Sequence, residues 1–135
     1  MSAVKAIRHI LVNNANLISV VPVSKIMAGV IPIETVLPAI SVNHISTTER
    51  NTVAMNTPTI LATSRIQVSV MTKTYSEQKS ILELIRKALP NITGVVNGVM
   101  VDSILPDIAG PDLRDDDAAI YLQSRDFIVK FNESA

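Results

Sequence analysis

Cysteine is absent from all 135 residues. Its absence excludes disulfides, thiolate nucleophiles and Cys-ligated zinc, and leaves the redox compartment open. Tryptophan is missing too, and the aromatic set ends with Tyr75, Tyr121, Phe127 and Phe131. With 47% of residues apolar, the core has to be built from Val, Ile and Leu. Glycine stands only at positions 29, 94, 98 and 110, so neither a dinucleotide-binding G-x-G-x-x-G nor a P-loop can be assembled. Neither charge sign is in excess: twelve basic residues face twelve acidic ones. No global field therefore draws in nucleic acid or an anionic membrane. No apolar run approaches the roughly 20 residues that span a bilayer, and MSAVKAIRHILVNN lacks a signal-peptide h-region. The expectation is a soluble protein made in the cytoplasm.

Catalytic constellations are equally scarce. His9 and His44 are the only histidines, and no H-x-x-x-H or H-E-x-x-H spacing exists to hold a metal. They read as surface or satisfied structural residues. Asp115-Asp116-Asp117, with Asp107 and Asp112 upstream, is the one carboxylate cluster. It lacks the glycine and terminal glutamate spacing of a calcium-binding EF-hand loop. A solvated acidic loop with Arg114 neutralising part of its charge is the better reading. No G-x-S-x-G elbow and no aromatic-plus-basic strip for stacking single-stranded bases is present. The sequence implies no enzyme, no cofactor and no metal.

What the chain does contain is periodicity. Ala3, Val4, Ile7, Ile10 and Leu11 recur at helical spacing over residues 3–12, with Ser2 placed to cap. A short second turn from Asn14 carries Leu17, Val20 and Val21 as far as Pro22. Pro32 and Pro38 forbid a long helix next, and short strands are expected at 25–29 and at 39–45. Residues 46–59, STTERNTVAMNTPT, have no apolar period and read as a protruding loop or extended arm. From Ile60 to Thr74 the alternation returns, with Ile66, Val68 and Val70 opposed to Arg65, Gln67 and Ser69, as in a half-buried antiparallel strand. It runs straight into a helix over 76–89. Its start has two candidates, Thr74 with Glu77 at capping-box spacing or Ser76 capping by itself; Ile81, Leu82, Ile85, Ala88 and Leu89 form the stripe, and Pro90 ends it. Asn97-Gly98 between apolar runs signals a two-residue hairpin. Residues 106–117, PDIAGPDLRDDD, read as an acidic loop. A last strand over 119–131 sets Phe127, Val129 and Phe131 on one face and Asp126 and Lys130 on the other.

This order predicts an α+β fold in a single domain over 1–135. An antiparallel sheet of strands of mixed length is covered on one face by two helices, with a protruding β-hairpin or arm.

The ordered set of motifs resembles the tail-completion, or tail-terminator, family of tailed bacteriophages. It comprises "NANLISVV" after the first helix, "LPAISVNHIS", the polar arm, "SRIQVSVMTKTYSEQKSILELIRKAL" and the closing "AIYLQSRDFIVKFNE". The Thr74-Tyr75 joint and the Asp126-Phe127 strand are the most characteristic parts. Ser69 stands where family members often carry an acid. The resemblance implies a structural virion protein at the head-proximal neck of the tail. Copies would form a ring of six on the end of the tail tube, stop tube polymerisation and join the head connector or stopper protein. Its partners would be itself, the tube protein and that connector, with DNA passing through the ring but no specific nucleic-acid or membrane binding.

Under that reading the interaction residues are Glu49 and Arg50 in the arm, and Asp112, Arg114, Asp115, Asp116 and Asp117 in the acidic loop. Arg65, Arg114 and Arg125 would supply complementary charge between subunits. The competing readings are another neck component, such as a head-completion or stopper protein, a ferredoxin-like module binding a small molecule, and an enzyme of unfamiliar type. The ferredoxin-like reading would call for a glycine-bearing ligand loop, which is missing.

Overall fold

A computed structural model describes residues 2–32, 35–51, 59–116 and 119–134. The elements in chain order are α1 (Ser2–Val12), α2 (Ala15–Ile18), β1 (Ile26–Ala28), β2 (Ala39–Asn51), β3 (Thr59–Thr72), α3 (Tyr75–Ala88), β4 (Gly94–Val96), β5 (Val99–Ala109), β6 (Leu113–Asp115) and β7 (Ile120–Ser134). The strands form one sheet in the order β1-β2-β3-β7-β5-β4, with β6 on β7. All pairs are antiparallel except the edge pair β1–β2, which is parallel, with Ile26 opposite Ile40.

Local signals account for most of these boundaries. Asn14 caps α2 by accepting from the Leu17 amide at 3.0 Å, and Thr74 caps α3 by accepting from Glu77 at 3.3 Å. The hairpin between β4 and β5 turns at Asn97 (φ 48°) and Gly98 (φ 81°). Two successive positive φ values define the tight turn that matches the strand twist. The proposed Ser2 cap lies outside the described side chains.

Alternation sorts the sheet into two faces. Ile66, Val68 and Val70 of β3 are buried with Phe127, Val129 and Phe131 of β7. Ala3, Val4, Ile7 and Leu11 of α1 and Ile81, Ile85 and Ala88 of α3 cover them in one cluster. In α2 and the turn after it Leu17 and Val21 reach this cluster, whereas Val20, expected with them, is 43% exposed.

The polar arm takes the extended one of its two expected forms, and the acidic segment differs from its loop reading. Past a register shift at Ile45, Ser46–Asn51 continue β2 and pair with Arg65 back to Ile60. The arm is therefore a hairpin extension wherever it is described, and residues 52–58 lie outside the described set. Thr47 and Thr48 favour extended backbone, but a strand exposed on both faces has no apolar alternation to announce it. Residues 106–109 likewise finish β5, and 113–115 form β6. Pro106 is accommodated because β4 covers β5 only at 99–101, and the register shifts again between Pro106 and Ala109. Proline is tolerated at such edges and bulges.

One buried polar residue joins helix to sheet. Gln78 is 1% exposed. With the amide oxygen turned toward β7, as its neighbours require, it accepts from the backbone of Leu122 at 3.0 Å and Gln123 at 3.1 Å. Gln78→Leu keeps the volume and strips both donors of their acceptor, at about 1–3 kcal/mol for each buried group left unpaired. Urea unfolding should show the loss as a lowered midpoint. A midpoint equal to the parent's would mean that these two amides are satisfied elsewhere.

Candidate interaction surfaces

The β3–α3 joint builds the first surface. Because Thr74 starts the helix, Tyr75 and Lys79 fall one turn apart on the side facing residues 110–116. The Tyr75 hydroxyl donates to Asp112 at 2.9 Å and Lys79 Nζ lies 2.5 Å from the same carboxylate. Lys79 also donates to the Gln123 side-chain oxygen, whose amide nitrogen donates to the Gly110 carbonyl at 2.8 Å. The Tyr75 and Tyr121 rings meet edge to face at 6.0 Å, and the Arg114 guanidinium stands 5.2 Å from the Tyr121 centroid. Arg114 pairs with Asp116 at 2.7 Å. The acidic segment is thus strapped to the sheet by aromatic and basic groups.

Of the expected residues, Asp112, Arg114, Asp115 and Asp116 share this end of the sheet, with Asp115 opposite Ile120 in the β6–β7 ladder. Asp117 lies outside the described residues. Among the described residues no group of three or more His, Asp or Glu side chains is placed to hold a metal. Both histidines are exposed, and His44 Nε2 and Thr47 Oγ1 lie 2.5 Å apart.

The strap sets a pH dependence. Hydrogen bonding from Lys79, then from Tyr75, holds the Asp112 carboxyl below its ordinary 3.8. Asp112 in turn raises Lys79 above 10.5. A lowered carboxylate contributes stability that is present above its unfolded value and disappears as pH falls through the folded one. The raised amine contributes below its unfolded value and loses this as pH climbs through the folded one. The stability difference between the parent and Asp112→Asn should therefore be small, as for exposed pairs generally. It should be constant from about pH 5 to 9 and shrink only in the acid and alkaline limbs. Thermal melts across that range check it, and a slope near neutrality would implicate a different group.

Glu49 and Arg50 lie elsewhere. They pair with Ala62 and Leu61 of β3, whereas the acidic end adjoins Met71 and Thr72 through Leu122 and Tyr121. Ten residues of strand at ~3.3 Å separate Leu61 from Met71, about 33 Å. The structure does not bring the two groups together; it places them toward opposite ends of the sheet. Arg50 lies on the outer face, where it lines a shallow cleft of ≈ 400 Å³ with Thr48, Leu61, Thr63 and Lys130. Glu49 points to the helix side.

The charges expected to act between subunits are largely consumed within one chain. Arg65 pairs with Asp107 and, at 3.1 Å, with Asp126 on the outer face. Both carboxylates raise the guanidinium pKa, chiefly by hydrogen bonding. Arg114 is taken by Asp116. Ser69, at the position of the family's frequent acid, shares a hydrogen bond of 2.8 Å with Ser124. Arg125 is different. It faces the helices opposite Val68, and its buried Nε has no hydrogen-bond acceptor among the described residues. Sequence reasoning found Arg125 as a charge but not its cleft, because Lys79 and Glu83 of α3, Ala109 of β5 and Gln123 of β7 come from three separate elements.

No family model matches the chain. No curated protein matches it either. Among solved structures, a chain of the "Virion of native gene transfer agent (GTA) particle" superposes with a TM-score of 0.71 at 15% identity. The superposition covers 94% of this chain and 92% of that one. Among the described residues no helix is long and apolar enough to cross a membrane. The fold of this chain, nearly end to end, is one that also serves in a virion.

Proposed function

We propose that the chain is a structural virion protein that forms a ring on the head-proximal end of a phage-type tail tube, ends tube growth and joins tail to head. The observation that carries this reading is the fold likeness to a chain of a gene transfer agent virion over almost the full length of both. Two further features agree with it. The charged segments stand toward opposite ends of one sheet, as an adaptor between two different partners requires. The ionisable groups at both ends engage one another in structural pairs or stand on open surface. The proposed localisation is the neck of the particle, with no catalytic activity. Six copies per ring follows from the resemblance of the motifs to tail-terminator proteins.

Deleting the gene in a particle-producing host tests this. Tubes of uncontrolled length, or finished tails that fail to join heads, are the expected products in electron micrographs. Labelling of the protein at the distal tip or inside the capsid would remove the assignment. Labelling at the neck with tubes of normal length would favour the head-completion reading instead.

A further inference from the structure

We propose that the cleft at Arg125 receives the Glu49 carboxylate of a second copy of this chain. The cleft, of ≈ 300 Å³, lies between α3 and the β5–β7 side of the sheet. Every polar side chain on its wall is already committed, with one exception. Lys79 is held by Asp112 and Gln123, Gln123 by Gly110, Glu83 by Arg86, and Ser124 by Ser69. Arg125 has no ion pair or hydrogen bond from its side chain among the described residues; its charge helps lower the pKa of Glu83 on the same wall, but its buried Nε has no acceptor. A buried donor without an acceptor calls for a partner. A guanidinium presents a planar fork that fits a carboxylate.

Glu49 is the matching group. It is exposed, and among the described residues no hydrogen bond or ion pair engages its side chain. The other acids whose side chains are described are in ion pairs or bonded networks, apart from Glu77 in the first turn of α3, where a helix N-terminus already favours negative charge. Position supports the same match. Glu49 and Arg125 lie on the same, helix-facing side of the sheet, opposite Ala62 and Val68 respectively. They lie toward opposite edges. β1 covers β2 only at 40–42, so Glu49 is on an open edge, while Arg125 is paired to Ala109 of the far edge strand. One patch near each edge is what a head-to-tail contact needs, and such contacts close rings.

Continuous strand pairing between the copies is disfavoured on the β5 side. There the Asn91 side chain accepts from the Ile104 amide at 3.2 Å, Thr93 donates to the Asp102 carbonyl at 3.2 Å, and Pro106 has no N–H to offer. A side-chain contact is left to make the joint.

The inference rests on the ring reading for the presence of neighbouring copies, and the test separates the two. The native chain has no cysteine, so Thr48→Cys with Glu83→Cys, which leaves both Glu49 and Arg125 in place, can be linked by a short bismaleimide in purified particles. A ladder of covalent oligomers beyond the dimer is expected from the double variant, and none beyond dimer from either single variant. A lysine-reactive cross-linker applied to the parent reports whether copies are neighbours at all. If it gives a ladder while the cysteine pair does not, the Glu49–Arg125 contact is wrong and the ring stands. If neither reagent joins copies, both fall. In the same particles Glu49→Arg and Arg125→Glu should each lower incorporation at least about tenfold, and the double exchange should restore it. Failure of the double exchange to exceed either single variant, in protein whose melting curve is parental, also overturns the contact.

Discussion

Ile85→Asp leaves the chain unfolded under conditions where the parent is native. Ile85 is fully buried on α3, within the cluster that joins both long helices to the sheet. Losing the burial of an isoleucine side chain costs about 1.5–3 kcal/mol. A carboxylate placed there with no partner costs several more, or stays protonated at a similar penalty. The sum is comparable to the 5–15 kcal/mol that usually separates native from unfolded domains. Circular dichroism on heating is the check, with the exposed neighbour Lys87→Gln as the reference that should stay within about 0.5 kcal/mol of the parent. A parental melting curve for Ile85→Asp would mean that α3 presents another face to the core.

Phe127→Ala should lower stability by roughly 3–5 kcal/mol. Phe127 is fully buried on the middle strand β7, between Ile66 of β3 and Pro106 of β5. The chain has few ring-sized side chains with which to refill the space. Tyr75 and Tyr121 are at the far end of the sheet with their rings engaged, and Phe131 already fills its own layer. The surrounding Val and Ile side chains have little freedom to extend, so most of the cavity persists. For a domain of this size the loss corresponds to roughly 10–20 °C in melting temperature. A fall of only a few degrees would show that the sheet collapses onto the gap, and a bound hydrophobic probe in the cavity would show that it does not.

Strong local signals were legible in the residues themselves. The Thr74 cap, the inward stripe of α3, the Asn97-Gly98 turn and the inward set of β7 all stand where spacing places them. Each depends on interactions within a few residues or on a period that one buried face imposes. The extents of β2 and β5 were not legible. Their distal halves are exposed on both sides or interrupted by proline and bulges, so pairing with β3 and β7, rather than pattern, keeps them extended.

The candidate surfaces divide along the same line. Composition alone removed thiol chemistry, glycine-rich phosphate loops and a strong global field, and periodicity alone supported an aliphatic sheet covered by helices. The charges at Glu49, Arg50 and 112–116 could be read as polar and available, but not whether they were free. Only the tertiary structure decided that Asp112 belongs to Tyr75 and Lys79, that Arg65 belongs to Asp107 and Asp126, and that the Arg125 Nε finds no acceptor among the described residues. The reason is that ion pairing depends on sheet register. Arg65 and Asp107 lie 42 residues apart in sequence, and no local rule places β5 beside β7 at the spacing that brings them together.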